Sequence, residues 1–258
     1  MSGIDTRTVL GKVVTVLRAF TIDDHGVSLA ELTRRTGLPK PTLHRLLADL
    51  VEVRLVERTS AGYLLGGQLF ELGMRASVER RLLEVAIPFM EDLYERTHET
   101  VHLGVRDGLE VVYVAKIGGH RQARSPSRIG GRMPLHCTAI GKILLSYAGA
   151  AVQRDVVEKG LERRTPRTLT APGLLRGQLE RAAETGIAYE HEESAPGIAC
   201  VAAPILDSDD NAIAALSVAG AVGRFQPEKH AVAVRAAAAA IGATWARRAA
   251  LRESLRND

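Results

Sequence analysis

The sequence predicts an α+β chain in two parts, an N-terminal winged helix-turn-helix and, beyond a linker helix, a C-terminal domain mixing strands and helices. Three observations carry that prediction. The stretch SLAELTRRTGLPKPTLHRLLADL holds two short helical patterns that meet at Gly37. Two short apolar runs, RLVERTS and GYLLG, follow around Ser60, Ala61 and Gly62 as a hairpin. Further on, runs such as LEVVYVAKI, IACVAAPILD and AIAALSVAG read as strands among helical segments, with no repeat period. The boundaries fall at 1–66 for the first module, 67–78 for the linker and 79–258 for the second domain.

In the first module, Val9–Phe20 reads as a helix with Leu10, Val13, Val14, Leu17 and Phe20 at spacings of three and four. The run DDHG ends it. Ser28 and Glu31 fit the S-x-x-E capping box, which satisfies end amides of a second helix carrying Leu29 and Leu32. Gly37 stands where a left-handed residue stops that helix and turns the chain. Pro41 suits the first turn of a third helix, where its missing N–H costs nothing. Leu43, Leu46, Leu47 and Leu50 then share one stripe, and Pro41, Arg45 and Ala48, flanked by Thr42 and His44, share the other.

With 258 residues, 46% of them apolar and 25% charged, the composition is that of a soluble globular protein. No apolar run reaches transmembrane length, and the first twenty residues lack the plan of a signal peptide. Cys137 and Cys200 cannot form a disulfide framework, so the expected address is cytoplasmic. The formal charge is only +4; placement says more. Arg34, Arg35, Lys40 and Arg45 occur with no acid among them, and a second acid-free stretch between Glu110 and Asp155 carries seven basic residues. Two positive regions suggest two anionic clients.

The third helix offers a major groove a slim basic edge, with Arg45 for guanine or phosphate and Thr42 for phosphate or a thymine methyl. Arg58, near the hairpin tip, is placed to reach a phosphate or the minor groove. Double-stranded operator DNA is therefore the expected partner of this module.

LAELTRRTGLPKPTLHRLLADL with LVERTSAGYLLGGQLFELG resembles the IclR family of bacterial transcriptional regulators. Two later blocks, GGRMPLHCTAIGKILL and YEHEESAPGIACVAAPILDSDDNAIAALSVAG, resemble that family's C-terminal signatures. The resemblance implies a winged helix-turn-helix, a linker helix that helps pair protomers, and a GAF-like α/β effector-binding domain. It implies a homodimer or homotetramer that represses or activates catabolic genes in response to a small organic or aromatic acid, without a cofactor. By the same match Lys40, Thr42 and Arg45 touch DNA, with Lys12 and Ser28 as weaker phosphate contacts; His44 and Arg58 are further candidates from their places on the helix front and at the hairpin tip. Pro41 departs from the family's usual serine and removes one hydroxyl from that face.

In the linker region periodicity persists on both sides of Pro88, which predicts a kink rather than an end. The resemblance places a pocket at Ala139, Ile140, Glu190, Cys200 and Ser217, closed by Gln122 and Ser125. Ala219 stands where acid-binding relatives often carry a second hydroxyl, which implies a more apolar floor and a ligand larger than glyoxylate or pyruvate. The acid-free stretch and a helix start near Ala139 would both favour a carboxylate.

Catalytic motifs are sparse. Gly141-Lys142 fails as a phosphate loop because His136 replaces the first glycine and Ile143 the magnesium-binding hydroxyl. No short metal spacing links His136, Cys137, His191 and Cys200. A thiol- or metal-dependent enzyme that uses the winged helix for assembly is the alternative reading.

Overall fold

The computed structural model describes residues 5–73, 75, 77–118 and 125–257. The chain divides into two compact units, Met1–Arg80 and Arg81–Asp258.

In the first unit, helix α1 (Val9–Arg18) is capped by Thr8, whose Oγ1 accepts the Gly11 N–H at 3.0 Å. Val16 is fully buried, with Val13, Leu17 and Phe20 packed beside it, while Val9 and Leu10 are exposed. The expected stripe is met at Val13, Leu17 and Phe20, while Leu10 lies outside the core. The helix carries two overlapping apolar stripes, and the one containing Val16 joins the cluster of Leu32, Leu43 and Leu47.

Helix α2 (Leu29–Thr36) begins at Ser28, whose Oγ accepts the Glu31 N–H at 3.2 Å. Only this half of the expected capping box is made by those two side chains, because the Glu31 carboxylate is taken by Arg34 and Arg35. Gly37 has φ of +67° and ends the helix through its N–H to the Thr33 carbonyl at 2.9 Å. Helix α3 (Lys40–Glu52) carries Pro41 in its first turn and buries Leu43, Leu46, Leu47 and Leu50. Each such burial contributes roughly 1.5–3 kcal/mol. Strands β1 (Val56–Thr59) and β2 (Gly62–Leu65) form the wing, with Arg58 opposite Tyr63 and Thr59 opposite Gly62. Tyr63 also bridges to Val27, which ties the wing to the approach to α2. Helix α4 (Gly67–Gly73) occupies much of the expected linker and leaves Phe70 and Leu72 exposed. Helix α5 (Ser77–Thr97) runs through Pro88, as the periodicity requires.

The second unit is built on one antiparallel sheet in the order β5-β4-β3-β8-β7-β6. Its strands are β3 (Thr100–Asp107), β4 (Glu110–Ile117), β5 (Arg132–Pro134), β6 (Ala188–His191), β7 (Ile198–Leu206) and β8 (Ala212–Ala221). One face packs on Leu82, Met90 and Leu93 of α5 and on Val234, Ala238 and Ile241 of α9 (Pro227–Asn257). The other packs on α6 (Ala139–Ser146), α7 (Ala150–Lys159) and α8 (Pro172–Thr185) through Ile143, Val156, Leu175 and Leu179. Helix α7 has no counterpart in the sequence reading, since Val156 alone is fully buried on it and its apolar periodicity is faint. Among the described residues no helix is long and apolar enough to cross a membrane.

Candidate functional site

The structure offers two sites, one in each unit. On α3 the solvent side carries Lys40, Pro41, His44, Arg45 and Ala48, all exposed, with Thr42 half-buried at their flank. Lys40 and Arg45 lie toward the helix start, while the acids Asp49 and Glu52 lie toward its end. The basic edge is therefore confined to the first two turns. Arg58 is exposed one residue from the wing turn. Lys12 sits half-buried on α1, and the Ser28 hydroxyl already serves as an N-cap.

Folding changes the charge count read along the chain. Arg34 forms a two-bond pair with Glu31, at 2.8 and 2.7 Å. Arg35 bonds Asp24 at 2.7 Å and Glu31 at 2.8 Å. These pairs hold both carboxyls well below the usual carboxylate range, through hydrogen bonds from the guanidinium groups. Of the four basic residues in the first acid-free stretch, Lys40 and Arg45 remain without an ion pair among the described residues.

The second site is a small, largely buried cavity with about 20 Å³ of free space among the described residues, room for about one water molecule. Ser125, Ala139, Ile140, Glu190, Cys200 and Ser217, expected from the sequence, all line it; Gln122 lies outside the described residues. His102, Tyr113, Ser127, Met133, Thr138 and Ser194 also line it and were not anticipated. Ala219 does not line it; it lies opposite Thr100 and Cys200 in the sheet. The apolar part of the wall comes instead from Ile140, Met133 and Ile198.

The polar groups form two chains. Ser125 Oγ lies 2.6 Å from Ser127 Oγ, which lies 2.7 Å from His102 Nε2. Burial lowers the His102 pKa to about 3, with nearby Lys116 acting in the same direction, so the ring is neutral near pH 7. Tyr113 packs edge-on against His102 at 5.3 Å, and burial pushes its phenol up. Across the cavity, Glu190 Oε1 accepts the N–H groups of Glu193 and Ser194 at 2.8 and 3.0 Å and the Ser194 hydroxyl at 3.1 Å. Glu190 Oε2 is buried and has no hydrogen-bond partner among the described residues. Burial raises the Glu190 pKa, while hydrogen bonds from Cys200 and Ser194 pull the other way.

Helix α6 starts at this wall. Thr138 Oγ1 caps it by accepting the Gly141 N–H at 3.0 Å. The amides of Ala139 and Ile140 belong to the first turn, where an α-helix supplies no partner. Gly141 is a packing residue, not part of a phosphate loop, because a Cβ there would lie 2.3 Å from the Leu135 carbonyl oxygen.

Part of the second acid-free stretch is also tied down by folding. Arg132 pairs with Asp107 and Glu110, the buried Lys142 pairs with Glu193, and Lys116 donates to the Ser127 carbonyl at 3.0 Å. Among the described residues the side chains lining the cavity include no Lys or Arg, and the first-turn amides of α6 and neutral donors are the groups they offer a carboxylate. Nothing in this geometry favours the thiol reading. Burial pushes Cys137 up to about 12 and Cys200 well above its ordinary value, the reverse of thiolate activation. His136 Nε2 donates to the Glu162 carbonyl at 3.0 Å. Among the described residues no cluster of three His, Cys, Asp or Glu side chains is placed to hold a metal ion.

Residues 9–60 match the IclR helix-turn-helix domain, and residues 74–243 match the bacterial transcriptional regulator IclR C-terminal domain. The chain belongs to the IclR family. Among curated relatives, the transcriptional regulator KdgR of Escherichia coli is 34% identical over 89% of this chain and 90% of its own length. The repressor IclR of the same organism is 28% identical over 88% of this chain and 86% of its own. Among solved structures, an IclR homologue from Microbacterium hydrocarbonoxydans, complexed with 4-hydroxybenzoate, superposes with a TM-score of 0.87 at 33% identity. That match covers 93% of this chain and 100% of the other. The Thermotoga maritima IclR structure superposes at 0.75 with 29% identity, over 92% of this chain and 98% of that one. This IclR-family member thus shares both units with transcriptional regulators.

Proposed function

We propose that this protein is a ligand-responsive regulator that reads operator DNA through α3 and the β1–β2 wing and binds a hydroxylated aromatic acid in the cavity. It acts on catabolic genes as a homodimer or a dimer of dimers, because two reading helices on one duplex need a symmetric pair of protomers. The observation that carries the ligand assignment is the pairing of unspent groups in one buried space. Glu190 Oε2 is an acceptor without a donor, and the first turn of α6 offers amides to a carboxylate. An acid with a hydroxyl satisfies both. The complex of the Microbacterium relative with 4-hydroxybenzoate supports this chemistry.

About 20 Å³ cannot hold an aromatic ring. Ile140 crowds Gly104, where even a Cβ would come within 2.9 Å of its Cγ2. Ligand entry therefore requires Ile140 and the Ser125–Ser127 segment to move. A ligand that binds the opened state alone shifts the population toward it. The test is thermal unfolding of the full chain with 4-hydroxybenzoate, alongside fluorescence anisotropy on the DNA upstream of its own gene. A ligand at a hundred times its Kd adds about 2.7 kcal/mol of stability. Glyoxylate and pyruvate serve as small-acid comparisons. The assignment fails if 4-hydroxybenzoate changes neither stability nor DNA affinity, and binding confined to the two small acids would replace the aromatic ligand with a small one.

A further inference from the structure

Strand β6 has two working faces. Glu190 lines the cavity, while Tyr189 and His191 line a groove of about 490 Å³ bounded by α8, β6 and α9. That volume lies within the range of small-molecule pockets, roughly 300–1,000 Å³. Its floor includes the buried pair Lys142 and Glu193, with Lys142 Nζ also donating to the Tyr189 carbonyl at 3.1 Å. Glu193 is 5% exposed, and its Oε2 has no hydrogen-bond partner among the described residues. A buried carboxylate oxygen in a pocket of this size calls for a donor.

The rim carries Arg181 and Arg235, both exposed and in no ion pair among the described residues. Arg235 Nη1 reaches only the Thr185 carbonyl, at 3.5 Å. Among the residues lining the groove the one acid is Glu193, which is paired with Lys142, so Arg181 and Arg235 are the cations there without an acidic partner among the described residues. Between rim and floor the wall is apolar, made by Ile187, Val232 and the Tyr189 ring, which stacks on His191 at 6.4 Å.

We propose that this groove is a second ligand site, for an aromatic carboxylic acid bearing an amino or hydroxyl donor. The carboxylate meets Arg181 and Arg235, the ring lies against Tyr189 and Val232, and the donor reaches Glu193 Oε2. The site stands independently of the ligand assigned to the cavity. The two spaces share one turn, since the Glu193 N–H donates to Glu190 Oε1 at 2.8 Å.

The test uses 4-aminobenzoate as the probe, by isothermal titration of the full chain. Four proteins are compared: wild type, Arg181→Ala/Arg235→Ala, Arg181→Lys/Arg235→Lys, and Ala139→Leu, which fills the cavity. Wild type and Ala139→Leu are expected to bind, and the double arginine variant to bind at least about tenfold more weakly. Arg181→Lys/Arg235→Lys should recover part of the loss. Because both arginines are exposed, these variants should keep the wild-type unfolding curve. Equal affinity in wild type and the double alanine variant would overturn the site, as would no binding by wild type up to about 10 mM, beyond the millimolar range of weak complexes. Binding lost in Ala139→Leu but kept in the arginine variant puts the probe in the cavity; it overturns the groove and leaves the cavity reading standing.

Discussion

On α3 the groups proposed to meet a partner stand outside the core, with His44 and Arg45 exposed while the leucines a step around the helix are buried. In the cavity the order is reversed. His102, Glu190 and Ser217 are themselves among the most buried side chains of the second unit. An exposed reader costs the fold little and can be changed freely, whereas a buried sensor ties ligand chemistry to stability. The first unit meets a polymer whose charge is on its surface. The second must withdraw a small molecule from water, so its polar groups are kept where their hydrogen bonds are strong and their omission is costly.

The largest consequence of that difference is pH dependence. His102 has an ordinary pKa of 6.5 and a folded value of about 3. As pH falls from about 6.5 toward 3, the unfolded chain gains a proton that the folded unit refuses, so stability is lost, on the order of 5 kcal/mol at most. Glu190 works in the opposite sense. Its folded pKa is raised, so its cost appears as pH rises above the ordinary 4.5. In the first unit Asp24 and Glu31 are depressed by Arg35 and Arg34, and that contribution is lost only as pH falls below the ordinary carboxylate range. Trp245, the single tryptophan, lies half-buried in α9 and reports on the second unit alone. Urea unfolding followed by Trp245 fluorescence should therefore weaken between pH 6.5 and 5, before the transition seen by circular dichroism for the first unit. His102→Gln should remove part of that early weakening, the rest coming from His136 and His230, which burial also lowers. The same onset in variant and wild type would break the comparison.

What was legible in the sequence follows the same division. The α3 face could be read because one helix carries both its buried stripe and its working edge at fixed spacing, and Gly37 and Pro41 mark its start. The cavity could not be assembled that way. His102, Tyr113, Ser127 and Thr138 come from separate segments, and strand alternation does not tell which face of a sheet buried on both sides holds a space. Resemblance supplied Glu190 and Cys200, but nothing local indicated that Glu190 would leave one oxygen unpartnered. Thr138 was the exception within reach, since a threonine before an apolar helical run is an N-cap signal. Charge was the least legible quantity. Each acid-free stretch has some of its cations paired with acids distant along the chain or just outside it, as Asp24 does for Arg35 and Glu193 for Lys142.

A smaller effect sharpens the comparison from the DNA side. Arg45→Ala should weaken specific DNA binding by about 1–3 kcal/mol and relax selectivity at one base pair. Lys40→Ala should weaken binding across sequences and lower the slope of log K against log salt by about one. Neither should move the Trp245 transition or the response to 4-hydroxybenzoate, because both residues lie in the first unit. Unchanged selectivity in Arg45→Ala would remove it from base reading.

Arg34→Ala should give the smallest effect, and it is informative for that reason. Along the sequence Arg34 and Arg45 look alike, both within one acid-free stretch beside the helix-turn-helix. In the fold Arg34 is 74% exposed and spends both edges of its guanidinium on Glu31, whereas Arg45 stands on the solvent side of α3 with no ion pair among the described residues. Its charge is cancelled next to where it sits, and exposed pairs of this kind contribute little to stability. The expected change in DNA affinity is within about twofold, small beside that of Arg45→Ala. Anisotropy titrations of the two variants at one salt concentration decide the matter. Equal losses would mean that DNA responds to the number of positive charges on this unit, and that α3 is no more its reader than α2.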